Sequence, residues 1–527
     1  MTGRVRLEGE SWRRRRAKAE QDRPPRPPRR RRERGEALRT SPFWVIGGVV
    51  FAAVAVLAAT ALQQPVPTGQ DDVVIEPIGS LVLLCPEPGA ASDLGVRVTA
   101  AVVPGQAGQQ ASDGTGSAGL RTLPGRTSAE SRIRVPGGQA EIEAFGGTEL
   151  PAIEAYGEGT LAPGLVADQW GRDPGGAGRG LASTACAPAS SESWFVGGGA
   201  IAGRQTRIVL VNPDETAAIV DVIIRGPEGV IDAPGGRGLV VGGQDRLVVR
   251  LDTLAPGVAA TAVQVLARTG RVGASVDDEQ RSGLANVGSD WVPQAARPAT
   301  KVYVPGVING AGARVLSIAA PGADDAIVTI RVIAEEGTFS PADRARVDVP
   351  ADSVVALDMS PVLSELPVTL ELTSTVPIIA GMRQFLGNET SFSAGAQPHT
   401  SPAAVTGLPV RTATELRVAI TAPESDATVE VSLLPFRRGR EASQPTGVRR
   451  LTIPAGTMRW VRVSPPTGVD WYTAVVTPLP DSGPVVVAHR LKEKSQYGDL
   501  ITGYPWPALR TQVRVPSAVQ DPGVGTG

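Results

Sequence analysis

From Arg207 to Val230 the chain reads RIVLVNPDETAAIVDVIIRGPEGV: apolar and polar side chains alternate, stop at Asn-Pro-Asp, then alternate again. The phrase returns as RVLSIAAPGADDAIVTIRVIAEEGTF at Arg314–Phe339 and as LRVAITAPESDATVEVSLLPF at Leu416–Phe436. A period of two puts one set of side chains on a buried face and the other in water, so each phrase predicts two strands. The Pro-acidic segment between them supplies a fixed φ and side-chain acceptors, which a hairpin turn needs. Each unit continues with LVVGGQDRLVVRLDTL, VDVPADSVVALDMS or LTIPAGTMRWVRVS, again two short strands around a turn. A late apolar strand follows (AATAVQVLA, LPVTLELTS or WYTAVVTPL), then GRVGASVDD, VPIIAGMRQ or GPVVVAHRL. Six or seven strands in about 100 residues, with no helix of useful length, predict an immunoglobulin-like β-sandwich.

The units open on WFVGGG at Trp194, VYVPGV at Val302 and TGLPV at Thr406, and TGYPWP follows at Thr502. These marks divide the outer part of the chain into β-sandwich modules at 194–301, 302–405 and 406–509. A degenerate β module precedes them at 73–193, and a disordered tail follows at 510–527. In the degenerate module GLVADQW at Gly164–Trp170 echoes GLANVGSDW at Gly283–Trp291, while PGQAGQQASDGTGSAG reads as a loose polar loop.

A different pattern occupies Phe43–Leu62, which carries no charge. As a helix it spans about 30 Å, the thickness of bilayer hydrocarbon. Arg29, Arg30, Arg31, Arg32, Arg34 and Arg39 precede it and hold that side in the cytoplasm, so the chain is expected to exit outward after Leu62. A cleaved signal would have a shorter apolar run and a clearer cleavage site than Ala58–Thr60, and a buried core helix would need a helical protein around it. The expectation is an uncleaved single-pass anchor at 43–62, followed by a linker at 63–72. Residues 1–40, with RPPRPPRRRRER, are too polar to bury a core and read as a disordered cytoplasmic tail. The tail sets topology and meets anionic headgroups, or docks a cytoplasmic partner through polyproline II. Nucleic-acid binding lacks a folded reader.

Charge supports the division: residues 1–40 carry 15 Arg and Lys against 6 Asp and Glu, whereas the whole chain has 52 against 53. Gly 62 and Pro 46, with 4% aromatics, suit short strands and turns. Cys85 and Cys186 are the two cysteines, both on the outward side near the ends of the degenerate module, and are expected to form a disulfide.

Catalytic and metal chemistry finds little material. His399 and His489 lie in different units with no zinc-type spacing and no Gly-x-Ser-x-Gly elbow. GGGAIAG at Gly197–Gly203 loosely resembles a dinucleotide fingerprint, but a strand and not a helix follows it. Asp277–Asp278, Asp324–Asp325 and Glu335–Glu336 read as solvated turns, without the aromatic platform that sugars stack on. No catalytic, cofactor-binding or metal site is assigned and no cofactor is expected. Trp194, Trp291, Trp460, Trp471 and Trp506 are expected to wedge neighbouring modules together.

WFVGGG, RIVLVNPDETAAIVDV, DWVPQAARPATKVYVPGV and LLCPEP, with the arginine tail and single apolar run, resemble a family of actinobacterial envelope proteins known as domain of unknown function 5719. The resemblance covers Val73 to Leu509 and implies a membrane-tethered or secreted protein with no assigned activity. The combined expectation is a non-enzymatic envelope scaffold or stalk, with the lipid bilayer as partner and cell-wall glycan or envelope proteins as candidate ligands. Nucleic acid is not a partner. Its rivals are a carboxylate-based glycan enzyme and a cytoplasmic-tail docking protein.

Overall fold

Alternation becomes strand in each repeated phrase. Ala326–Ala334 and Ala427–Phe436 each bury every second side chain over their first half, with the intervening ones more accessible. Asn212 shapes the first predicted turn: its Oδ1 accepts the Asp214 N–H at 3.0 Å, and its Nδ2 donates to the carbonyls of Thr216, Val241 and Gly242. An Asx turn of this kind lets the strand reverse without stranding backbone polar groups.

The computed structural model describes residues 74–86, 95–106, 109, 116–124, 128–144, 152–175, 179–283, 285–363 and 365–515. The tail arginines 29–32, 34 and 39, the apolar run 43–62, the linker 63–72 and residues 516–527 lie outside the described residues, as does part of the polar loop around residue 110. Among the described residues no helix is long and apolar enough to cross a membrane.

The described chain is all-β, in four modules: I (80–188), II (192–295), III (299–394) and IV (403–502). Module IV shows the plan. Its strands in chain order are Ala403–Pro409, Thr414–Ala422, Ala427–Phe436, Thr446–Ile453, Thr457–Val463, Trp471–Pro478, Val486–Ser495 and Gly498–Thr502. They make two antiparallel sheets in the orders 1-6-3-4 and 5-2-7-8. The same two orders recur in the other modules, including module I. In module III the sixth and seventh strands are one, Val368–Leu386, which passes from one sheet to the other.

This order corrects the immunoglobulin expectation. Immunoglobulin constant domains hold A, B, E and D in one sheet and C, F and G in the other, so the first strand lies beside the second and the seventh beside the sixth. Here the first strand lies beside the sixth and the seventh beside the second. Alternation fixes which face is buried, not which neighbour a strand takes. The polar loop also ends earlier than its composition indicates: Gly116–Thr122 is the third strand of module I. A Cβ on Gly119 would stand 2.3 Å from the Ser131 carbonyl oxygen, so glycine is required there for the two backbones to approach.

Each module has its own apolar core, and four further clusters lie between modules. Leu84, Leu123 and Ala182 meet Val209, Val211 and Trp291 between I and II. Trp194, Val196 and Ala262 meet Ala319, Val354 and Ile379 between II and III. Tyr303 and Ile333 meet Ala419, Met458 and Val486 between III and IV. Ala101, Val103 and Val166 meet Ala404, Leu434 and Val475 between IV and I. The modules therefore close into a cycle. The stalk expected from tandem repeats is replaced by a ring, because module I carries an apolar face that fits module IV.

The repeated opening phrases are the junction device. In WFVGGG, VYVPGV and VTGLPV a glycine with positive φ (Gly197, Gly306, Gly407) interrupts the first strand, and the register shifts there in all three. Each glycine faces the next module: Gly197 lies against Phe392, Gly306 against Ala488, and Gly407 against Thr99 and Trp170. At Gly407 the approach is closest, since an added Cβ would stand 2.4 Å from Thr99 Oγ1 and 2.8 Å from Trp170 Nε1. Finally, Val74–Pro77 pairs antiparallel with Gln512–Val515, clasping the first described strand to the last.

Candidate functional site

The structure joins Cys85 and Cys186 in a disulfide, tying the end of the first strand of module I to the residue after its eighth. Among the described residues no group of three or more His, Cys, Asp or Glu side chains is placed to hold a metal ion. His489 is buried, and its Nδ1 accepts the Trp506 indole N–H at 2.9 Å. Burial pushes its pKa down to about 3, so the ring is neutral. His399 sits against the Ser401 carbonyl, and burial likewise lowers its pKa. Gly197–Gly203 begins within the end of the first strand of module II, Glu192–Gly198, and leads into the second, Arg204–Asn212.

The carboxylate pairs divide. Asp324–Asp325 and Glu335–Glu336 are turns as expected, and Glu335 accepts the Trp460 backbone N–H across the III–IV junction. Asp277–Asp278 is not a turn but lies within the seventh strand of module II, Gly273–Ser282. Asp277 meets the Arg207 guanidinium (Nε at 2.9 Å), while buried Asp278 binds Arg204 and Thr206. Two adjacent strand residues point to opposite faces, so each acid answers a different arginine.

Four of the five tryptophans are wedges. Trp291, Trp194 and Trp460 pack in the I–II, II–III and III–IV clusters, and Trp471 donates its indole N–H to Glu141 across IV–I. Trp506 instead completes the core of module IV, with Trp170 and Leu181 of module I inserted into the same core. The echo between GLVADQW and GLANVGSDW is not a structural equivalence: Trp170 lies on a seventh strand and Trp291 on an eighth.

Polar residues that sequence reasoning missed gather where the eighth strands meet. Arg179 of module I donates to Glu389 of module III at 2.6 Å and to the Asp499 carbonyl of module IV at 2.9 Å. Its own carbonyl accepts the Asn286 side chain of module II at 3.0 Å. One arginine thus touches all three other modules. Asp290 of module II accepts the Ser183 N–H of module I and the Thr502 hydroxyl of module IV. Asp168 of module I accepts the Thr406 N–H and the Tyr504 hydroxyl of the IV side. Burial pushes Asp168 up to about 7, Glu389 up to about 8 and Asp290 well above the carboxylate range. These acids sit inside protein and join modules.

The site open to solvent is a cleft of about 420 Å³ between modules I and IV. Arg97, Glu143, Trp170 and Arg172 line it from one side, and Pro409, Arg411, Leu491 and Glu493 from the other. Glu493 is engaged twice, by Arg172 Nε at 2.9 Å and by Arg411 Nη1 at 3.3 Å. Glu143 is reached by Arg438 at 3.4 Å, and the same arginine holds Glu141 at 2.7 Å. Arg97 donates from Nη2 to the Gly407 carbonyl. Among the described residues it has no carboxylate within ion-pair reach. Burial lowers its pKa, against the pull of Glu141 and Glu143. A volume of this size falls within the roughly 300–1,000 Å³ range of small-molecule sites.

Ring, disulfide and cleft define an all-β, multi-module protein. The sequence profile of the family of unknown function DUF5719 matches residues 144–464, and the chain belongs to that family. The match runs from the end of the fifth strand of module I to the end of the fifth strand of module IV, a narrower span than Val73–Leu509. No curated protein matches the chain.

Proposed function

We propose that this protein is a non-enzymatic, membrane-anchored, extracytoplasmic scaffold or binding protein of the cell envelope. The observation that carries the reading is closure: four sandwiches buried against one another form a ring. The disulfide supports an oxidising compartment, and the apolar run 43–62 with its flanking arginines supports a single-pass anchor with the N-terminus inside. The lipid bilayer is then one partner, and envelope proteins or cell-wall glycan are the others. A carboxylate-based glycan enzyme is less well supported, because both acids of the cleft are already bound by arginines. The experiment is protease treatment of sealed cells that express the full chain, combined with cross-linking. The reading expects the modules to be attacked from outside while residues 1–40 are protected, and envelope components to be cross-linked to the ring. Protected modules and a clipped tail would reverse the topology.

A further inference from the structure

We propose that the cleft between modules I and IV is a carboxylate-binding site anchored by Arg97. The argument comes from comparing the modules with one another. The second strand of each sandwich turns alternate residues inward: Val98, Ile208 and Val418 belong to the cores of modules I, II and IV. The residue before each is an arginine on the outward face: Arg97, Arg207 and Arg417. In module II the residue directly opposite on the seventh strand is Asp277, which binds Arg207. In module IV it is Arg490, and Glu415 serves both guanidinium groups, at 2.7 Å to Arg417 and 3.2 Å to Arg490. In module I the seventh-strand residue opposite is Trp170, and the acid stands across on the fifth strand as Glu143, with no ion pair to Arg97.

The neighbouring acids are taken by other arginines. Glu493 answers Arg172 and Arg411, and Glu141 and Glu143 answer Arg438. A half-buried guanidinium that donates to one carbonyl and forms no ion pair favours an anion brought from outside, and its planar fork suits a carboxylate. Trp170, Leu181, Pro409 and Leu491 give the same cleft an apolar wall. The ligand class is therefore a small organic carboxylate with an apolar body, its carboxylate set against the Arg97 guanidinium inside the cleft. This goes beyond the scaffold reading and does not depend on it, since the cleft is the same wherever the chain resides.

The test is calorimetric titration of the purified full chain with N-acetyl-leucyl-leucine and with its C-terminal amide, two probes of equal size. The acid is expected to bind with a Kd below about 1 mM and the amide at least about tenfold more weakly, the factor expected when a hydrogen bond to a charged group is lost. Arg97→Gln should weaken the acid by about tenfold at unchanged circular dichroism, with Arg97→Lys between the two. Equal affinities for acid and amide, no heat from the acid up to about 10 mM, or a folded Arg97→Gln chain that binds as the parent does would each overturn the proposal. The comparison of acid with amide needs no variant, so it decides the matter even where Arg97→Gln fails to fold.

Discussion

Gly407 is where one methyl group acts on two modules. At φ +76° it occupies the left-handed region, and its missing Cβ is the space that Thr99 and Trp170 use. Gly468 has a similar φ of +65° but faces open space. Gly468→Ala should therefore cost only the backbone strain, about 1 kcal/mol, whereas Gly407→Ala should cost about 2–4 kcal/mol by adding a clash with the neighbouring module. Urea unfolding of both variants beside the parent checks this, and equal losses would remove the junction role of the glycine. The phrases WFVGGG, VYVPGV and TGLPV were legible as unit boundaries. Their mechanical meaning was not, because a register shift appears only when the partner strand is known. Arg97 was equally hidden: it is one arginine among many until the register shows Trp170 opposite where Asp277 stands in module II.

Among the elements, the strands and their hairpins were readable because one wet and one dry face leave a period of two in the text. The pairing order was not, and neither was the strand Gly116–Thr122, whose glycines and serine resemble a loop while packing as a ladder. Asp277–Asp278 reads as a turn for a related reason: the acids face two arginines distant in sequence. Two predictions belong at this scale. Trp170 inserts into the core of module IV and donates to the Thr406 carbonyl at 2.8 Å. Trp170→Ala should cost about 3–5 kcal/mol, and should speed amide exchange in Trp471–Pro478 more than in Ala326–Ala334 of module III. The disulfide closes a separation of 101 residues, so Cys85→Ser with Cys186→Ser should lower unfolding free energy by about 4–5 kcal/mol in the chain-entropy account. Denaturation of parent and double variant, with and without reductant, measures it, and a parent indifferent to reductant would refute it.

For the whole molecule, the junction acids set a pH dependence. Asp168, Glu389 and Asp290 have folded pKa values above their unfolded ones, so their stabilising contribution is complete below about pH 4 and is lost as pH rises through the folded values. His489 and His399 are shifted down, which opposes this trend only below about pH 6.5. Between about pH 6.5 and 8.5 the acids act alone, and stability should fall by an amount on the order of 2 kcal/mol. Glu389→Gln should flatten that slope, since the amide keeps an uncharged acceptor for Arg179 at every pH. Urea midpoints at three pH values decide it, and a rise across the window would contradict the assignment. Closure has a further consequence during synthesis. Module I leaves the ribosome early, yet the face formed by Ala101, Val103, Val166 and Trp170 is covered only by segments of module IV, and Leu509 joins that cover. A nascent chain must therefore carry a sticky, uncovered flank for some 300 residues of translation. The last described strand to emerge, Gln512–Val515, then meets the first described one, Val74–Pro77. A ribosome stalled before Leu509 would display an aggregation-prone intermediate that a holdase chaperone should recognise.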